Sequence, residues 1–182
     1  MKKIRLACYK TPWQAKLKYW VNWLISLRTL SPYSHVEFWT ADDTPFTRHY
    51  NVSGSLSTQY LGTMWASTMR GEDNGTVKRD ASGVLKHPKN WHYIEIEIDD
   101  FDYEYFLAIL DLEVQHNKGY AKWDILKFIS PIHFNDSERN ICSELCNNML
   151  VLIDVLTGKG IISPGKLVKK LTKLGYTIKE LK

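Results

Sequence analysis

Apolar and polar residues alternate from Lys3 to Tyr9, with Ile4, Leu6 and Cys8 set against Lys3, Arg5 and Ala7. That period of two predicts a short strand. From Trp13 to Leu27 the period changes, and Trp13, Leu17, Trp20, Leu24 and Leu27 fall on one face of a helix. Strands are expected again at Ser34–Thr40, around Tyr60–Thr68 and at Trp91–Asp99. In the last of these His92, Ile94, Ile96 and Ile98 alternate with Tyr93, Glu95 and Glu97. Gly71-Glu72-Asp73-Asn74-Gly75 reads as a turn-rich loop that runs on to Gly83 and Pro88.

Helical spacing dominates the second half. Asp102–Asn117 carries Tyr105, Phe106, Ile109, Leu110 and either Leu112 or Val114 on its apolar side, and Gly119 ends it. Trp123–Ile129 reads as a short helix stopped by Pro131. Asn135-Asp136-Ser137 offers capping oxygens ahead of a long helix, which sets Cys142, Leu145, Cys146, Met149, Ile153 and Leu156 along one broad face. Ser163-Pro164 is a cap followed by a first-turn proline, opening a helix with Leu167, Val168, Leu171 and Leu174 that closes at Gly175. Tyr176–Leu181 returns as a strand. Strands in the middle with helices at both ends predict an α+β fold. Residues 1–182 are long enough for one good core and show no repeat or linker, so a single domain is expected.

Composition excludes more than it selects. The net charge of +4 is mild, and the lysines gather only in the tail, at Lys166, Lys169, Lys170, Lys173 and Lys179. No arginine-rich run or nucleic-acid motif accompanies them, so nucleic acid is not an expected partner. The three cysteines, Cys8, Cys142 and Cys146, form no disulfide framework and suit a reducing compartment. No apolar stretch long enough for a signal peptide or a membrane span follows the basic N-terminus, which makes the cytoplasm the expected location. Lys16, Lys18 and Arg28 flank the Trp13–Leu27 stripe. A membrane-surface helix is therefore the alternative to packing on a sheet, which is preferred.

Two segments carry chemistry. Cys142 lies in or near the first turn of its helix, where unsatisfied amides favour a thiolate and can hold the oxyanion formed when that thiolate attacks a carbonyl. Against this stands core packing, since cysteine is commonly buried and Cys142 shares its stripe with Met149 and Ile153. Position alone favours the core for both helix cysteines, and more strongly for Cys146, one turn deeper. On the Ser34–Thr40 strand, Val36 and Phe38 should face the core, which leaves His35 and Glu37 together on the opposite face, roughly 7 Å apart between Cα atoms. There the carboxylate can orient the imidazole; an exposed polar face is the plain alternative. His133, Cys142 and Cys146 match no paired zinc-ligand spacing, so no metal is expected, and no phosphate-cradling glycine loop points to a cofactor.

In order and spacing, Ser34-His35-Val36-Glu37, Gly119-Tyr120-Ala121-Lys122-Trp123-Asp124 and Cys142-Ser143-Glu144 resemble the circularly permuted branch of the NlpC-like, papain-like cysteine hydrolases. There the histidine strand precedes the nucleophile helix. Trp65–Arg70 with Gly75-Thr76-Val77-Lys78 resembles that family's next strand and glycine turn, and Ile162-Ser163-Pro164 the helix start that follows the nucleophile. The resemblance implies a papain-like fold, with an antiparallel sheet packed against the Cys142 helix, and a thiol peptidase or amidase with Cys142 as nucleophile and His35 as general base. The third residue is Ser67 or Thr68 by family position and Glu37 by chemistry, because a carboxylate stabilises imidazolium better than a hydroxyl. Tyr120 donates a hydroxyl near the site or shapes its wall, with Trp123 the alternative in its place; Asp124 is a supporting candidate, Glu144 complements the helix dipole or fixes a neighbouring loop, and a basic contact falls to Lys78 or Arg79. Expected substrates are a peptide, an isopeptide, a peptidoglycan fragment or a lipid ester. The setting suits a bacterial or viral accessory protein. The rival readings are a non-catalytic binding module of the same fold and a lipid acyltransferase or thioesterase using the Trp13–Leu27 helix.

Overall fold

The computed structural model describes residues 1–12, 20–41, 46–50, 56–68, 74–116, 119 and 141–181. Along them run β1 (Lys2–Lys10), α1 (Trp20–Thr29), β2 (Tyr33–Thr40), β3 (Phe46–Tyr50), β4 (Leu56–Tyr60), β5 (Thr63–Thr68), β6 (Gly75–Asp80) and α2 (Ala81–Val84). A 3-10 turn at Pro88–Asn90 then leads to β7 (Trp91–Ile98), α3 (Asp100–His116), α4 (Cys142–Leu152), α5 (Pro164–Lys173) and β8 (Ile178–Glu180). Six strands make one sheet in the order β6-β5-β2-β1-β7-β8, with every neighbouring pair antiparallel, and β3 with β4 forms a separate hairpin. The chain is thus α+β, with helices laid on an antiparallel sheet. Among the described residues no helix is long and apolar enough to cross a membrane.

β1 is the sheet's axis because it pairs over most of its length with both β2 and β7. A strand paired on both edges and covered on both faces has little surface left. Arg5 and Ala7 are therefore buried along with Ile4, Leu6 and Cys8, where alternation alone suggests a half-wet strand. One face carries the larger core. There Val36 and Phe38 of β2 and Ile94, Ile96 and Ile98 of β7 meet Phe106 and Leu110 of α3, Leu145 and Met149 of α4, and Leu167 and Leu171 of α5. Phe38 and Phe106 stack edge to face at 4.8 Å, a geometry that aligns ring edge and π-face charge. The other face holds a smaller cluster around Trp39, Met64, Leu85 and Trp91.

Three expectations change. The stretch around Tyr60–Thr68 is two strands, because Gly62 takes a left-handed backbone (φ +98°) and turns β4 into β5. The loop expected from Gly71 to Pro88 contains β6, whose six residues all pair with β5. Its Thr-Val-Lys-Arg-Asp run is polar because it forms a sheet edge, where charge discourages further pairing. The helix that begins at Cys142 ends at Leu152 instead of running to Leu156. Asp154 turns left-handed there (φ +55°), and Leu156 still reaches the core through its N–H bond to Leu150 O. The helix expected over Trp13–Leu27 is described from Trp20 and continues to Thr29, and the segment expected at Trp123–Ile129 lies outside the described residues.

Gly62 is the tightest of these turns. A Cβ there would lie 2.1 Å from the Thr40 carbonyl oxygen, on backbone that cannot swing away. Gly62→Ala is expected to lower stability by at least about 1–3 kcal/mol through the left-handed backbone alone. The check is the urea midpoint, and an unchanged midpoint would show that the turn relaxes freely.

Candidate active site

β2 and β5 pair through only three residues of each strand, Phe38 with Trp65, Trp39 with Met64 and Thr40 with Thr63. From Glu37 back to Tyr33, β2 keeps its β1 partner, and no β5 pairing continues there. The sheet therefore opens along this edge, and α4 packs against both strands. α4 begins with Cys142 itself. The residue before it, Ile141, has extended backbone and no side-chain oxygen, so nothing from a capping side chain occupies the first amides. The capping oxygens expected at Asn135-Asp136-Ser137 lie outside the described residues. The rest of the helix is held by its polar face. Ser143 Oγ donates to Ile162 O, Asn147 Nδ2 donates to Gly158 O at 3.0 Å, and Gly160 N donates to Asn148 Oδ1 at 3.1 Å.

At the open edge the Cys142 thiol meets three polar partners. The His35 side chain shares a hydrogen bond with it, and the backbone N–H groups of Val36 and Ser143 donate to Sγ. Val36 N–H is available because β5 does not pair with that part of β2. Burial by itself pushes the thiol up. The His35 charge, its hydrogen bond and the two N–H groups outweigh burial and bring Cys142 below the ordinary thiol value. The other cysteines provide an internal contrast. Burial pushes Cys8 far up, and Cys146 is held well above its ordinary value by burial and by the charges of Cys142, Cys8 and Glu37.

Behind the imidazole stands Glu37. His35 Nε2 lies 2.8 Å from Glu37 Oε1, which leaves Nδ1 as the ring nitrogen for the thiol proton. His35 is 6% exposed and Glu37 0%, so the polar face foreseen from alternation is not a wet one. A carboxylate removed from water needs a compensating charge. Arg79 of β6 supplies it, with Nη2 donating to the same Oε1 at 2.8 Å. The basic contact left open between Lys78 and Arg79 thus divides by strand alternation. Lys78 points to the other face, with Nζ 4.4 Å from the Trp65 ring centre and 3.1 Å from Asp111 Oδ1. Arg79 completes the line Arg79–Glu37–His35–Cys142.

The remaining candidates take varied places. Ser67 and Thr68 are buried on β5, beyond its last pairing with β2, with Ser67 on the face of Trp65 rather than the face of Glu37. Glu144 sits in the first turn of α4, where a negative charge complements the helix dipole. Tyr120, Trp123, Asp124 and His133 lie outside the described residues. Among the described residues no three His, Cys, Asp or Glu side chains gather as a metal site requires. The sequence names Arg79 only as one of two candidates for a basic contact, and its pairing with Glu37 is seen in the structure alone. Its only sequence signal is that it sits one position from Lys78 on a short polar strand.

Alkylation of Cys142 by iodoacetamide is expected to rise with an inflection below the free-thiol value of about 8.5. His35→Ala removes the cation and should move the inflection upward. Arg79→Met lets Glu37 take up a proton, which weakens its hold on imidazolium, so the inflection should also rise, and less so in Arg79→Lys. An Arg79→Met protein with unchanged circular dichroism and a wild-type alkylation profile would break the proposed line of charge. Compared with protein-family models the chain matches none, and a search of curated proteins likewise returns no match.

Proposed function

We propose that the chain is a cysteine hydrolase of the permuted papain-like kind, cleaving an amide or ester bond through a thioacyl intermediate on Cys142. The observation that carries this reading is the hydrogen-bonded line Arg79–Glu37–His35–Cys142 ending at the first residue of a helix. Its order, with the histidine strand before the thiol helix, and its antiparallel sheet packed against that helix both support the family reading.

The chemistry follows from the groups present. His35, held by Glu37, takes the thiol proton, and the Cys142 sulfur attacks the substrate carbonyl carbon. The amides at the start of α4 face the oxyanion, where N–H donors are worth most because the charge develops out of water. The tetrahedral adduct collapses, breaking the C–N or C–O bond while His35 gives its proton to the leaving group. Water then attacks the thioester, losing a proton to His35, and returns the free thiol with a carboxylic acid product. The contrast among the three cysteines supports this reading over a non-catalytic module of the same fold. A cysteine kept only for packing would be expected to follow Cys8 and Cys146 upward.

p-Nitrophenyl acetate tests the reading without knowledge of the natural substrate. Wild type should release nitrophenol and carry a transient acetyl group on Cys142, seen by peptide mass spectrometry. Cys142→Ala should lose both. His35→Ala should slow acylation by roughly 10²–10⁴-fold, and Glu37→Gln should slow it less. Turnover that persists in Cys142→Ala, or acetylation that favours Cys8, would sink the proposal.

A further inference from the structure

Away from the thiol, a cavity of about 720 Å³ opens beside the N-terminal half of β1. Its size falls in the range of small-molecule sites. We propose that it binds a small aromatic oxyanion, a carboxylate or phosphate carried on a planar ring.

The anchor is Arg5. It lines the cavity, is only 2% exposed, and has Nε donating to Glu95 Oε2 at 3.2 Å. Its guanidinium carbon lies 5.3 Å from the centre of the Trp39 ring, which steadies the cation and fixes its plane. Nη1 is buried and has no hydrogen-bond partner among the described residues. A guanidinium withdrawn from water normally has its donors matched, and its planar fork suits a carboxylate or phosphate. Glu95 cannot supply the missing acceptor in full, because Lys3 and Lys179 also draw on it at 3.3 and 3.2 Å. Among the described lining residues, the cations Lys2, Lys3 and Arg5 stand against the carboxylates of Glu95 and Glu104. Phe46, Tyr93 and Tyr103 supply the flat surfaces. A ring between these aromatics, with its oxyanion toward Arg5, would satisfy both halves of the wall.

The test is calorimetric titration of the full chain at low salt with phenyl phosphate, benzoate, inorganic phosphate and benzylamine. Phenyl phosphate or benzoate should bind one to one; the tighter of the two assigns the phosphate or the carboxylate as the natural head group. Inorganic phosphate should bind more weakly for want of a ring, and benzylamine should not bind. Arg5→Met keeps the apolar stem over Trp39 and should weaken binding at least about tenfold. Lys3→Glu, at a more exposed position, should weaken it too and serves if Arg5→Met fails to fold. Carboxymethylation of Cys142 should leave the affinity unchanged, so this site stands or falls apart from the hydrolase reading. No aromatic anion binding to wild type, equal affinity in Lys3→Glu, or loss of binding on Cys142 modification would overturn the proposal.

Discussion

A carboxylate with none of its surface in water sits at the centre of this molecule, and the site is arranged around that constraint. Glu37 lies on a strand covered on both faces, where an unpaired negative charge would be costly. Arg79 and His35 meet it at the same oxygen, so the charge is shared between a permanent cation and one that exists only when the imidazole is protonated. The partnership works in both directions. Arg79 offsets the Glu37 charge, and the carboxylate favours imidazolium, which in turn favours a thiolate at Cys142. Removing a charge at one end of the line is felt at the other because burial leaves little water to screen it.

The second requirement is an opening. A sheet whose central strands paired from end to end would have no edge for a helix terminus to enter. Here β2 and β5 part after three paired residues, and the start of α4 fits against the freed edge. Val36 N–H, which a continuing β5 would have claimed, becomes a donor to the thiol instead. The absence of a side-chain cap at Ile141 belongs to the same arrangement, since a capping oxygen would compete with the thiolate for the first amides. Gly62 contributes from a distance by turning β4 into β5 where a side chain would strike Thr40.

Parts of this are plain in the amino-acid order. The alternation in β7 and the Ser163-Pro164 helix start correspond to the observed elements because each depends on neighbours within a few residues. The pairing of His35 with Glu37 follows from the strand period, which holds in any fold that makes that strand. β6 and the β4–β5 break are harder to read. A polar edge strand gains its shape from the partner it pairs with, and a single glycine turn looks like many others. The hairpin of β3 and β4 gives little signal for the same reason.

The order of residues determines that a histidine and a carboxylate share one strand face and that a cysteine stands near a helix start, because these are matters of period and local spacing. It leaves open whether that face is wet, which cysteine is perturbed and which basic residue of the Lys78-Arg79 pair turns inward. Only the tertiary structure decides these. Burial of Glu37, the parting of β2 from β5 and the approach of β6 all come from segments far apart in the chain, and the electrostatic effect of a charge depends on what has displaced the water around it.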